Sequence, residues 1–177
     1  RKKDVKITKS SHVPPNSFKI SEYMDELFKF INKKDDQKYD LLKVALAHHR
    51  FVWIHPFTNG NGRTVRLLTY ALLVKLGFNV EKGRILNPTA IFCSDRDRYY
   101  NKLQYADTGT EAGLLEWCLY VLNGLKAEIK KIDCLTDYNI LSKEILYPAI
   151  QYSLEQGHIT STESKMLKKA VEKQIIQ

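Results

Sequence analysis

Apolar residues in this chain return every three or four positions, segment after segment, and that period constrains it to a helical fold. Ile20, Tyr23, Met24, Leu27 and Ile31 keep one face of a helix apolar, behind a turn spelled Pro14, Pro15, Asn16 and Ser17. Leu41, Val44, Ala45 and Phe51 form the stripe of a second helix over about 40–53. Val65, Leu68, Leu72, Leu73 and Leu76 mark a third, running from near Asn61 to Gly77, a residue suited to the left-handed position after a helix. Asp95 or Asp97 opens a fourth helix through Tyr105, a fifth spans about 110–131 and a sixth about 138–155. Thr160 and Glu163 have the spacing of a capping box for a last one. Strand pattern is confined to the start, where Val5 and Ile7 alternate with Lys6 and Thr8 ahead of Pro14. The predicted fold class is all-α, with a short extended N-terminal segment.

The chemistry gathers between the second and third helices, in His55-Pro56-Phe57-Thr58-Asn59-Gly60-Asn61-Gly62-Arg63-Thr64-Val65-Arg66. Pro56 cannot continue the preceding helix, and it biases His55 away from the right-handed helical region. Gly60 and Gly62 permit backbone approaches that a Cβ would block. The next helix starts at once, so its free amides point back into the loop and make a ready anion site. Arg63 and Arg66 stand one turn apart and can face the same anion. The segment is no Walker P-loop, because the upstream Gly and the Lys-Ser/Thr pair are missing. His55 stands at the lip of this cradle, where an imidazole is the natural group to take a proton from an incoming hydroxyl. Asn59 offers an amide oxygen toward a Mg²⁺ ion that phosphates would bring.

The segment resembles the signature of the Fic family, HPFx(D/E)GNGRxxR, at His55, Pro56, Phe57, Gly60, Asn61, Gly62, Arg63 and Arg66. Ala45-Leu46-Ala47-His48-His49-Arg50-Phe51 is similar to the family's approach to the motif. Arg96-Asp97-Arg98-Tyr99-Tyr100 is similar to the acidic-aromatic segment placed over the nucleotide base, and residues 5–15 to the β-hairpin flap that docks targets. The resemblance spans about residues 1–130 and leaves 131–177 as a C-terminal helical extension. It implies a Fic-fold helical bundle with a flap at about 4–15, and a protein adenylyltransferase that moves AMP from ATP to a Ser, Thr or Tyr hydroxyl. His55 would be the general base and Phe57 a buried anchor for the loop. Gly60, Asn61 and Gly62 would form the anion hole, with Arg63 on the phosphates, Arg66 on the γ-phosphate and Tyr100 at the base. Val5, Lys6, Ile7 and Thr8 would dock the target as an added strand. Family members that phosphorylate carry Lys where this chain has Gly62, so the resemblance favours AMP transfer.

One position departs from the signature. Asn59 replaces the usual Asp or Glu, exchanging a full charge on Mg²⁺ for a dipole, which predicts weaker metal use or slower turnover. A non-catalytic nucleotide-binding protein is therefore the competing reading, with transfer of another phosphate-containing group as a further one. Many Fic proteins are silenced by a helix bearing (S/T)xxxE(G/N). No Glu in this chain is followed by Gly or Asn, so the expected brake is an upstream inhibitory helix or a partner antitoxin. Residues 135–177 resemble the linker and first helices of a winged-helix module, which would imply DNA as a further partner.

Other signals are blander. A net charge of +8 favours anionic partners. No apolar run has the length a membrane span needs, and no secretory signal is visible, which together with reduced thiols predicts a cytoplasmic protein. Cys93, Cys118 and Cys134 share no metal-ligand spacing and read as core thiols. His48 and His49 read as helix packing rather than metal ligands. Tyr99 and Tyr100 point to different sides of their helix, so one is core. Lys126, Lys130 and Lys131 read as a solvated face.

Overall fold

A computed structural model describes residues 1–7, 11–77 and 90–173, and for 132–136 the backbone alone. The helices are α1 (Ile20–Asn32), α2 (Asp40–Ile54), α3 (Asn61–Lys75), α4 (Arg96–Ala106), α5 (Glu111–Thr136), α6 (Tyr138–Ile140), α7 (Tyr147–Glu155) and α8 (Ser161–Glu172). No strand occurs among the described residues, so the chain is all-helical there. It divides into two compact units, Arg1–Glu128 and Ile129–Gln177, with the boundary inside α5.

In the first unit α2 is the central helix, because apolar residues occupy two of its faces. Val44 and Ala45 pack with Leu73, Phe92, Leu103 and Trp117 in one cluster. Ala47, Phe51 and Ile54 pack with Leu27 and Val65 in another. Trp117 is fully buried and its indole N–H donates to the Ala45 carbonyl at 2.7 Å, so α5 is tied to α2 by a large side chain with its polar group satisfied. Burying such a side chain contributes about 2–3 kcal/mol. Gly124 is required here, since a Cβ at that position would lie 2.7 Å from Ile91 Cγ2.

Local signals set the helix ends. Asp95, rather than Asp97, caps α4 by accepting from the Arg98 amide at 2.9 Å. Gly77 follows α3 at φ 89°, the left-handed conformation expected of it. In the second unit the Thr160–Glu163 capping box forms at the start of α8. The Tyr138 hydroxyl donates to the Val171 carbonyl, joining α6 to α8. The single helix expected over 138–155 is divided by a π-helical stretch, Leu141–Leu146. Pro148, in the first turn of α7, has no N–H to return, and the wider register absorbs the missing bond.

Two expectations are corrected. The β-hairpin flap is not formed among the described residues of 4–15, and Thr8 lies outside them. Side chains, not a strand ladder, hold this segment. Asp4 accepts from the Ser17 amide at 2.6 Å, His12 Nε2 meets the Trp53 carbonyl at 2.8 Å, and Gln104 donates to the Ser11 hydroxyl at 3.0 Å. Pro14 and Pro15 remove two donors from the leg that would have paired. Cys93 is exposed, because it follows a single 3-10 turn (Ala90–Phe92) that buries Ile91 and Phe92 instead. Cys118 is buried as expected, and the Cys134 side chain lies outside the described residues.

Candidate active site

The site begins where α2 stops. His55 caps α2 in the left-handed conformation, φ 52° and ψ 58°, with its amide donating to the Phe51 carbonyl at 3.1 Å. It is the sole non-glycine with positive φ among the described residues. Such a conformation costs on the order of 1 kcal/mol and has to be held by its surroundings. Pro56 bars the helical alternative from one side. From the other, the Arg1 guanidinium donates to the His55 carbonyl at 3.0 Å and to the Pro15 carbonyl.

The imidazole is half-buried, and its Nδ1 is buried without a hydrogen-bond partner. Burial therefore pushes its pKa below the ordinary histidine value. The Val52 carbonyl pulls the other way without reaching hydrogen-bond geometry, and the charges of Arg1 and His12 add to the lowering. The ring is neutral at pH 7, the form a general base requires.

The loop is braced from within. Asn61 is buried, and its side chain accepts from the Phe57 amide at 2.9 Å and donates to the Phe57 carbonyl at 2.8 Å. This closes residues 57–61 into a ring, a role for Asn61 that the sequence reading assigned to the anion hole alone. Phe57 is a correction. Its ring is 45% exposed, touching Phe51 at 6.3 Å between centroids, so Asn61 supplies the bracing that a buried Phe57 would have given.

Gly60 opens α3 at φ 84° and offers no side chain to cap it. The first turn of α3 holds no acid either, so the amides of residues 61–63 face the loop uncapped at the positive end of the helix dipole. Arg63 and Arg66 fold back toward this end: an added Cβ at Gly60 would lie 3.5 Å from Arg63 Nη2, and one at Gly62 3.5 Å from Arg66 Nη1. Among the described residues neither guanidinium pairs with a carboxylate. Two unneutralised cations beside uncapped amides form a site for a polyanion.

Asn59 is exposed, and its Oδ1 accepts from the Gly60 amide at 2.6 Å. No group of three or more His, Cys, Asp or Glu side chains that could hold a metal occurs among the described residues. The position where the signature carries a carboxylate thus holds an amide oxygen that is already engaged. Tyr99 and Tyr100 divide their roles. Tyr99 is buried beside His48, while Tyr100 is half exposed with the Arg96 guanidinium 5.5 Å from its ring centre. Of the flap residues, Val5 and Ile7 are partly buried and Lys6 is exposed.

A groove of about 540 Å³ lies elsewhere, lined by Leu27, Phe30, His49, Arg50 and Trp53 among others and by no residue of 55–66. It lacks the chemistry of the loop. His49 is engaged by Asp107 at 2.9 Å, and the Arg50 guanidinium lies 4.9 and 4.4 Å from the Tyr23 and Trp53 ring centres.

The family profile described as Fic/DOC family matches residues 1–73, the stretch that holds α1, α2, the loop and most of α3. Over those residues the chain is similar to the Fic/DOC family. The match is narrower than the span of 1–130 read from the sequence and leaves α4, with Tyr100, outside it. A sea-anemone protein (Nematostella vectensis) named Protein adenylyltransferase Fic is 36% identical over 110 residues, 62% of this chain and 24% of its own length. Proteins of the same name from Aedes aegypti and Drosophila yakuba are 37% and 34% identical over 99 residues, 55% of this chain and 18% of theirs. The chain spans about a quarter or less of these Fic relatives. No helix among the described residues is long and apolar enough to cross a membrane.

Proposed function

We propose that this chain transfers AMP from ATP to a hydroxyl of a target protein. The observation that carries the reading is a neutral, half-buried His55 at the lip of an uncapped helix N-terminus with two unpaired guanidinium groups. The phosphates of ATP rest on the amides of residues 61–63, with Arg63 and Arg66 neutralising the β- and γ-phosphates. His55 Nε2, the nitrogen that is not buried, removes the proton from the target hydroxyl as its oxygen attacks the α-phosphorus. The bond from the α-phosphorus to the bridging oxygen breaks, and pyrophosphate leaves with its charge held by the two arginines and the amides. The fixed dipoles do most of the work, since they need no reorganisation as charge develops. Tyr100, exposed on α4, supplies a face for the base, and residues 5–8 are the stretch proposed to meet the target.

The residues present do not build a metal site of their own, so no step is routed through one. Mg²⁺ would arrive with the phosphates of ATP, with Asn59 as its one protein ligand after leaving the Gly60 amide. That engagement of Asn59 is also what favours the second reading, a nucleotide-binding protein without transfer. Incubation with ATP, Mg²⁺ and a cell extract, followed by mass spectrometry, separates them. Protein-linked AMP dependent on this chain is the expected result; ATP binding without any modified protein would support the second reading.

A further inference from the structure

His48 lies on α2, seven residues before the His55 cap, and is buried, with both ring nitrogens engaged. Its Nδ1 is 2.8 Å from the Thr69 hydroxyl, and its Nε2 is 3.1 Å from the Tyr99 hydroxyl. The Thr69 hydroxyl also donates to the Val65 carbonyl at 2.8 Å, which spends its only proton. Toward His48 it can then only accept, so Nδ1 carries the ring proton and Nε2 accepts from Tyr99. The four groups form a single directed chain: Tyr99 O–H to His48, His48 N–H to Thr69, Thr69 O–H to the Val65 carbonyl. It joins α4, α2 and α3, and all four residues are buried.

The α3 end of this chain has a particular place. Val65 directly precedes Arg66, and Thr69 follows it by three positions, one turn along the same face. The bonds therefore fix the turn that carries Arg66. The Arg66 charge is felt at both rings: burial raises the Tyr99 hydroxyl's pKa and Arg66 opposes that rise, while at His48 burial lowers the pKa and Arg66 adds to the lowering. A protonated His48 would set a second cation beside it. Burial excludes that, holding the pKa at about 3, with the nearby His49 and Arg66 acting in the same direction.

We propose that His48 is a positioning residue which, through Thr69 and Tyr99, sets where the Arg66 guanidinium stands for the terminal phosphate of ATP. The inference rests on the nucleotide reading above, and the experiment separates the two. Calorimetric titrations of ATP and of AMP would be made with the full chain and with Arg66→Ala, Thr69→Val and Tyr99→Phe. AMP lacks the phosphate Arg66 would hold, so a misplaced Arg66 lowers ATP affinity alone. Arg66→Ala should lose about tenfold or more in ATP affinity, and the other two about three- to tenfold, as small displacements of a charged clamp do. AMP affinity should stay within about twofold in all three. Unchanged ATP-to-AMP selectivity in Thr69→Val and Tyr99→Phe, beside a selective loss in Arg66→Ala, would overturn the positioning role and leave the nucleotide reading standing. Equal losses for both nucleotides in those two variants would equally overturn it. Unchanged selectivity in Arg66→Ala would overturn the nucleotide reading and this inference together. Tyr99→Phe keeps the ring that packs on Phe92 and Trp117, so it decides the matter if Thr69→Val does not fold.

Discussion

His48 lies within α2 and His55 caps its end seven residues later, yet their surroundings treat them in opposite ways. The interior around His48 satisfies both nitrogens, gives ordinary helical backbone and packs the ring against Phe92, tilted by 31° with 4.0 Å between centroids. The loop around His55 leaves a buried nitrogen without a partner and holds the backbone at φ 52°. Both rings are neutral at pH 7 for the same first cause, burial, but to different ends. A satisfied buried group specifies how helices meet, whereas an unsatisfied, strained one retains capacity for a reacting partner. The difference is a difference between architecture and chemistry, and it can be broken by experiment.

The largest expected effect is on the reactive side. His55→Ala should lower the transfer rate by about 10²–10⁴ while ATP affinity stays near that of the parent, because the base acts on the incoming hydroxyl. Rapid-quench kinetics beside ATP titration would check both parts, and near-parental transfer would remove His55 from the role. In the parent the rate should fall on acidification only below the ordinary histidine range, as the lowered pKa is passed.

Stability should show the reverse order. His48→Ala empties a buried site and strands the Tyr99 hydroxyl, at a cost of about 2–4 kcal/mol. His55→Gly, which relieves a left-handed backbone, should leave stability unchanged or raise it by up to about 1 kcal/mol. Urea unfolding of the two variants measures both. A larger loss for His55→Gly than for His48→Ala would reverse the comparison.

Acid should sharpen it further. The folded pKa of His48, about 3, is lower than its unfolded value near 6.5. Unfolded chains therefore take up a proton that folded chains refuse, and stability is lost as pH falls from about 6.5 toward 3. The loss due to this residue is on the order of a few kcal/mol. His48→Gln should flatten the pH dependence of the urea midpoint over that window. An unchanged slope would mean that other groups, His55 among them, carry the acid response.

The smallest effect concerns the metal. Asn59→Asp puts a full charge where an amide oxygen now accepts from Gly60, and should raise transfer several-fold at limiting Mg²⁺ with little change at saturation. Equal rates across a Mg²⁺ titration would show that this position does not meet the ion.

Much of this was legible in the residues before any coordinates. Helical period placed α1 to α5 within a few residues, because a buried stripe at 3.6-residue spacing is a property of the chain itself. The loop between α2 and α3 was legible for the same kind of reason: Pro56, Gly60 and the immediate helix start act through local backbone sterics. Where local rules competed with distant partners, the reading fell short. Alternation at Val5 and Ile7 suggested a strand, but two prolines and the side-chain ties to Trp53, Ser17 and Gln104 decided otherwise. The family resemblance also placed Phe57 inside, while the Asn61 brace made burial of that ring unnecessary.

The sequence by itself determined the helices, the glycine-led start of α3 and the presence of one histidine and two arginines within twelve residues, since each depends on neighbours along the chain. Only the tertiary structure decided that both ring nitrogens of His48 are engaged while Nδ1 of His55 is buried without a partner. One histidine lies within α2 and the other caps its C-terminal end. Their difference comes from Thr69 and Tyr99, 21 and 51 positions from His48, which satisfy one ring, while burial without a partner leaves the other unsatisfied.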